Sequence, residues 1–308
     1  MGEGSNSQYD SALRSFKAFA ISVGYTEEEV WDSRGIRPLD NEIVSLWIAE
    51  LIEDKQQANT ISGKLSALAW QCDIIRRKHK LDDQLITTMR KTANRKCTRP
   101  PVKAPVMTPA ILRKLAETIN DPNFPRWGQR LLLFLVLGFT GFLRISEALM
   151  IRAGDVTWGT MSVSIFFKHR KGDRYRCGRK VYFAKAIRGK LCPFTLLKEW
   201  MGESPWESNR PLFVGRGKAT AQGSACISST TIIKQLSITC EKAKIQRFLP
   251  RSLRAGGATT AKQAGVTDAD IAKHGDWQDL FTTHGYIAPT RTERLVVSET
   301  VVRRLQGV

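Results

Sequence analysis

RSLRAGGATTAKQAGVTDADIAKHGDWQDLFTTHGYIAP, residues 251–289, is the densest block of chemistry in this chain. It opens with Arg251 and Arg254, three apart at the head of a run of small residues. That spacing puts both side chains on one face of a helix, and the small residues let the helix pack closely. Gly265 has the position of a helix C-cap, Thr267 and Asp268 open the next short helix, and Gly275 closes it. Trp277 and Tyr286 follow, so one block supplies two cations, an indole N–H and a phenol. Taken singly, the arginines read as solvated cations and Trp277 as core. Together they suit an anionic phosphodiester.

Upstream lies RLLLFLVLGFTGFLRISEALMI, residues 130–151. Gly138 and Gly141 are expected to divide it into a buried helix and a second helix starting near Thr140. Arg144 then falls in the opening turn, where free backbone N–H groups already favour an anion. Glu147, three residues on, shares its face and can hold the guanidinium, so a purely structural ion pair is the plainer reading of these two alone. Next, MSVSIFFKHRKGDRYRCGRKVYF switches to period two around a Lys-Gly-Asp turn, which predicts a β-hairpin with a basic tip and Lys171 at that tip. Helices are expected at Phe194–Met201 and Thr230–Lys244. No carboxylate or cysteine stands at ligand spacing from His274 and His284, so no metal is expected, and His274 is read as capping or packing at the turn before Trp277.

The first 90 residues read as wholly helical, with apolar residues three and four apart in SALRSFKAFAISVG and NEIVSLWIAELIEDK. NTISGKLSALAWQCDIIRRKHK opens at Asn59 or Thr60 and ends in a cationic cluster, Arg76, Arg77, Lys78, His79 and Lys80, suited to a helix C-terminus or to phosphates. From Arg90 to Pro109 the sequence RKTANRKCTRPPVKAPVMTP is rich in Lys, Arg and Pro, with Arg95, Lys96, Arg99 and Lys103 as candidate backbone contacts. The expected division is a helical domain over 1–97, a basic linker over 98–108 and a second domain over 109–308, with TERLVVSETVVRRLQGV as a terminal helix. The whole chain has 308 residues, 48 Lys+Arg and 29 Asp+Glu, a formal charge of +19, with 42% hydrophobic residues. That is a folded basic protein whose natural partner is a polyanion, although composition alone equally suits a solvated basic surface. The apolar run Leu131 to Leu137 is far shorter than the roughly 20 residues of a membrane span. The six cysteines lack metal-site or secreted spacing and read as reduced thiols. The chain is therefore expected to be intracellular and DNA-associated, nuclear in a eukaryote and otherwise in the cytoplasm or nucleoid.

These motifs resemble the tyrosine recombinases, the integrase-type DNA strand-exchange family. GFLRISEAL is similar to the family's first arginine box, which implies a catalytic role for Arg144 and a supporting one for Glu147. RSLRAGGAT is similar to the second box, with its arginine at Arg254. HGDW followed by HGYI resembles the closing box of Cre-like members, with Trp277 nine residues before a nucleophilic Tyr286. Lys171 occupies the hairpin-lysine position, and RKGDRYRCG is similar to the hairpins of eukaryotic mobile-element recombinases. YDSALRSFKAFAISVGY and NTISGKLSALAW more loosely resemble the core-binding domain.

The resemblance implies a mainly α fold with a small antiparallel β-sheet, an α+β arrangement of a helical core-binding domain and an integrase-type catalytic domain. It implies double-stranded DNA as partner, a homotetramer on two DNA sites through exchange of the C-terminal helix, no cofactor, and topoisomerase IB-like transesterification through a 3′-phosphotyrosine. A free tyrosine is only about 0.1% ionised at pH 7, so fixed cations must stabilise phenolate and phosphorane alike. Arg251 departs from the pattern, which has histidine there; arginine keeps a donor and a charge but is no base near neutral pH. Two readings follow, an active recombinase or a DNA-binding regulatory relative with impaired catalysis. Either one requires DNA affinity that falls steeply with salt: with on the order of 10 phosphates neutralised, the log–log slope is expected near −9. Filter binding across salt concentrations checks it, and a flat dependence would remove the polyanion reading.

Overall fold

The computed structural model describes residues 3–37, 40–99, 105–168, 177–186, 189, 191–202, 206–214, 226–277, 283 and 285–287, with the side chains of 3–7 excepted. The chain divides into two compact units, Met1–Val102 and Lys103–Val308.

The first unit is a set of helices, α1 (Glu3–Ser22), α2 (Glu27–Val30), α3 (Asn41–Glu53), α4 (Ala58–Ile74) and α5 (Gln84–Cys97). Each start has a local cause. Thr26 and Glu29 form a capping box at α2, Asp40 accepts from the Glu42 N–H at α3, and Asp83 accepts from the Leu85 N–H at α5. Gly24, at φ +101°, turns the chain after α1. The core gathers Phe16, Trp47, Ile48, Leu51, Ile61, Leu65 and Leu68.

Two expectations need correction here, and one helix runs into the basic stretch. This unit is not wholly helical, because strands β1 (Trp31–Asp32) and β2 (Gly35–Ile36) form a minimal antiparallel hairpin. The basic stretch from Arg90 is helical as far as Cys97, where Ala93 and Cys97 face the core. Helix α4 opens after Gln57 and not at Asn59 or Thr60.

The second unit holds α6 (Pro109–Ile119), α7 (Trp127–Thr140), α8 (Ile145–Leu149), β3 (Val156–Trp158), β4 (Ser162–Phe167), β5 (Arg179–Ala184), α9 (Pro193–Met201), α10 (Ser229–Lys242), α11 (Arg251–Gln263) and α12 (Asp268–Gly275). Thr108 caps α6 through the Ile111 N–H, with Pro109 in the first turn. Ser228 and Thr267 cap α10 and α12 in the same way. The sheet order is β3-β4-β5, antiparallel throughout. Its buried face carries Val163, Ile165, Phe167, Val181 and Phe183, as the period-two pattern requires. Helix α7 is apolar all round, with Leu131 to Leu137 buried at the centre of the unit.

Gly138 does not interrupt α7. It lies within the helix, where an added Cβ would stand 3.0 Å from Leu253 Cδ1 of α11. The break falls later, after the cap at Gly141, where Phe142 adopts φ +50°. Consequently α8 begins at Ile145 and Arg144 is its N-cap residue. Close approach is tightest at two glycines of α11. A Cβ on Gly256 would lie 2.0 Å from the Met107 carbonyl oxygen, and one on Gly257 2.0 Å from that of Phe139. Both obstacles are backbone, so the helix would have to shift.

Gly257→Ala is therefore expected to lower unfolding free energy by at least the ~1–3 kcal/mol of an overpacked core. Urea denaturation of the full chain measures it. A midpoint equal to that of the parent protein would show that α11 does not sit this close.

Candidate active site

Glu147 is the centre of the site. Its side chain is 2% exposed. One carboxylate oxygen accepts from Arg144 Nη1 at 2.5 Å, and the other accepts from the Arg144 backbone N–H at 2.9 Å. That second oxygen also lies 3.8 Å from Arg179 Nη2 and 3.9 Å from Arg254 Nη1. Three guanidiniums thus converge on one carboxylate, leaving a local surplus of positive charge.

Arg254 is the most enclosed of the three, at 2% exposed. Nη1 donates to the Phe142 carbonyl and Nη2 to the Gly275 carbonyl, the latter at 2.8 Å. The left-handed backbone at Phe142 aims the first of these acceptors. Burial pulls the Arg254 guanidinium below its ordinary value, to about 10; Arg144 adds to the fall, and Glu147 and Tyr286 oppose it. It stays charged at neutral pH. Arg144, with its side chain 28% exposed, faces the open side.

The aromatic groups complete the site. The guanidinium carbon of Arg254 stands 4.5 Å from the Trp277 ring centroid and 5.2 Å from that of Tyr286. Trp277 and Tyr286 stack, with centroids 4.9 Å apart and planes at 25°. Trp277 also stacks on Phe142 at 6.0 Å. Gly275 is needed beneath it, since a Cβ there would lie 2.5 Å from the indole ring. Among the described residues, Arg254 Nε and Trp277 Nε1 are buried donors with no acceptor. Such groups are costly unless something accepts from them.

The structure therefore brings Arg144, Glu147, Arg254, Trp277 and Tyr286 together. Arg251 shares α11 with Arg254 but not its environment, being exposed at the first residue of the helix. The expectation of two equivalent guanidiniums on one helical face is corrected accordingly. His274 does pack and bond at the turn. Its Nε2 is 2.8 Å from the Thr140 carbonyl oxygen, and because a carbonyl only accepts, Nε2 carries the hydrogen. Its ring meets Phe142 edge-on at 4.7 Å. Lys171, His284, Lys103 and the C-terminal segment lie outside the described residues. No group of three His, Cys, Asp or Glu side chains suited to a metal occurs among the described residues, and no described helix is long and apolar enough to cross a membrane.

The basic cluster after α4 also divides. Arg76, Lys78 and Lys80 are exposed. Arg77 is not a surface cation: its side chain is 8% exposed, pairs with Asp32 and donates to the Ile36 carbonyl. It ties the end of α4 to the β1–β2 hairpin, a contact invisible without the hairpin. Arg95, Lys96 and Arg99 are exposed.

The sequence profile of the phage integrase family matches residues 105–293. The chain belongs to that family, the tyrosine recombinases. Over 256 residues it is 24% identical to an integrase/recombinase XerD homolog of Selenomonas ruminantium, covering 81% of this chain and 74% of that protein. Its fold is similar to that of XerH site-specific recombinase bound to palindromic difH substrate in a post-cleavage complex, with TM-score 0.62, 16% identity and coverage of 95% and 77% of the two chains. It is also similar to Tn1549 transposon integrase in complex with transposon right end DNA, with TM-score 0.59, 15% identity and coverage of 98% and 95%. At these identities the two solved structures speak for the fold alone. As a tyrosine recombinase the chain belongs with proteins of DNA recombination and integration, and a relative with impaired catalysis finds no support in these matches.

Sequence reasoning passed over Arg179, which lay unremarked among the cations of RYRCGRKVYF. Its signal was the apolar alternation that begins beside it and fixes which way a residue at the strand start can face.

Burial, more than any other cause, holds the His274 imidazole below its usual value; the Thr140 carbonyl opposes this and Arg179 adds to it. The unfolded chain consequently takes up this proton first as pH falls below about 6.5. Stability is expected to be full above that pH and to decline below it, down through the folded-state value. His274→Gln, which keeps a donor for Thr140, should flatten that part of the profile. Urea midpoints between pH 7.5 and 5.5 measure it, and identical slopes in the two proteins would refute a neutral buried imidazole.

Proposed function

We propose that this recombinase cleaves and rejoins DNA strands through a 3′-phosphotyrosine formed at Tyr286. The observation that carries the reading is the placement of a phenol ring 5.2 Å from a buried guanidinium and stacked on an indole, with cations converging on one acid behind them. Arg144 and Arg254 neutralise the equatorial oxygens of the phosphorane, each such donor being worth ~10²–10³ in rate. Trp277 Nε1 donates to the same phosphate, and Glu147 orients the arginines. Arg251, exposed at the head of its helix, adds a donor and a charge without acting as a base. In cleavage the Tyr286 phenol releases its proton to water as its oxygen bonds to phosphorus, the bond to the 5′ oxygen breaks, and Lys171 supplies the proton that oxygen needs. The incoming 5′ hydroxyl reverses the step, so the number of phosphoester bonds is conserved and no nucleotide cofactor is consumed.

Residues 1–97 act as a helical DNA-clamping domain, 98–108 as a basic linker and 109–308 as the catalytic domain. Arg76, Lys78, Lys80, Arg95, Lys96, Arg99 and Lys103 bind the phosphate backbone, which positions the protein without reading bases. Exchange between two sites calls for four protomers, linked by their C-terminal segments. Relatives solved with difH or transposon-end DNA favour a DNA substrate of the same kind.

A duplex selected by the protein from a randomised DNA pool, nicked to trap the intermediate, is expected to give an SDS-resistant protein–DNA adduct. Tyr286→Phe should abolish the adduct while retaining DNA affinity. An adduct that persists in this variant would assign the nucleophile elsewhere.

A further inference from the structure

We infer that Arg179 is a positioning residue for strand transfer, fixing Glu147 and the end of α12 from the base of the hairpin so that the other two guanidiniums meet the phosphate. The inference rests on the cleavage chemistry proposed above for its rate consequence, while its geometry stands alone. Arg179 begins β5 and pairs across the sheet with Phe167, whose ring its guanidinium covers at 5.5 Å. The side chain is 10% exposed. Nη1 donates to the His274 carbonyl at 2.7 Å, and Nη2 lies 3.8 Å from Glu147 Oε2.

One of those partners, Glu147, also faces Arg254, and the other adjoins a carbonyl that holds it. Consecutive carbonyls, His274 and Gly275, take one guanidinium each, Arg179 and Arg254. The same carboxylate oxygen lies 3.8 Å from one and 3.9 Å from the other. If Arg179 were lost, the 274 carbonyl would lose its donor and Glu147 one of the three cations that face it, and both belong to the frame that aims Arg144 and Arg254. The guanidinium meets the 274 carbonyl by a hydrogen bond and the Glu147 carboxylate by charge at 3.8 Å, and a lysine ammonium in its place keeps the charge without the planar fork. Being enclosed, Arg179 itself makes no contact with DNA. Misplacement of reacting groups by about 1 Å costs on the order of 10² in rate, so a group with no direct role in the chemistry can still govern it.

Full-length wild type, Arg179→Met and Arg179→Lys are compared on the nicked selected duplex. Single-turnover adduct formation is expected to slow on the order of 10²-fold in Arg179→Met and less in Arg179→Lys, with duplex affinity changed by less than about threefold, the scale of an uncharged contact. Wild-type rates in both variants overturn the inference. So does a loss of rate that vanishes after normalising to the folded fraction, or a loss of affinity equal to the loss of rate, which would make Arg179 a DNA contact. A second arm needs no cleavage. In the DNA-free protein, NMR titration of the His274 ring should show its pKa raised in Arg179→Met, because a neighbouring cation has gone, and an unchanged titration counts against the placement of Arg179. Absence of adduct in wild type speaks against Tyr286 chemistry alone and leaves this arm to decide.

Discussion

A single buried carboxylate, that of Glu147, faces the guanidiniums of Arg144, Arg179 and Arg254, and the candidate site of the second unit is organised around that imbalance. Enclosed charge is costly unless it is paired and hydrogen-bonded. One acid partly neutralises three cations, and backbone carbonyls from Phe142, His274 and Gly275 take up further N–H groups. The remaining positive field favours a phosphodiester monoanion, whose charge grows at the transition state. A metal ion is not needed to supply that field where arginines are already fixed.

Fixing them depends on close backbone packing. Gly256 and Gly257 let α11 lie against the Met107 and Phe139 carbonyls, which brings Arg254 beneath the end of α7. The chain leaves that helix through a left-handed Phe142, whose carbonyl meets Arg254 and whose ring meets His274 and Trp277. Gly275 leaves room for the indole, and the indole in turn supports the Tyr286 ring. Local backbone conformations that would be unfavourable in isolation are thus held by the packing around them.

Much of this was legible from residue pattern. Period-two alternation located β4 and β5 because one face of the sheet is buried. The cap residue Thr267 marked a helix start because a free N–H at a helix end needs a local acceptor. The spacing of Arg144, Glu147, Arg254, Trp277 and Tyr286 marked residues that the fold does bring together. The β1–β2 hairpin escaped notice because two-residue strands carry no periodic signal.

Sequence by itself determined the helical and strand periods, the basic charge, the order of the catalytic motifs and hence the family, because each is a property of neighbours along the chain. Tertiary structure alone decided which cations are enclosed and which stay at the surface. Arg77 and Arg179 are chemically the same as the residues beside them, yet one is committed to Asp32 and the other to His274 and Glu147. Arg251 and Arg254, three residues apart on one helix, end respectively at the surface and in the core. Burial and long-range partners set the fate of a charge, and neither is written in local spacing.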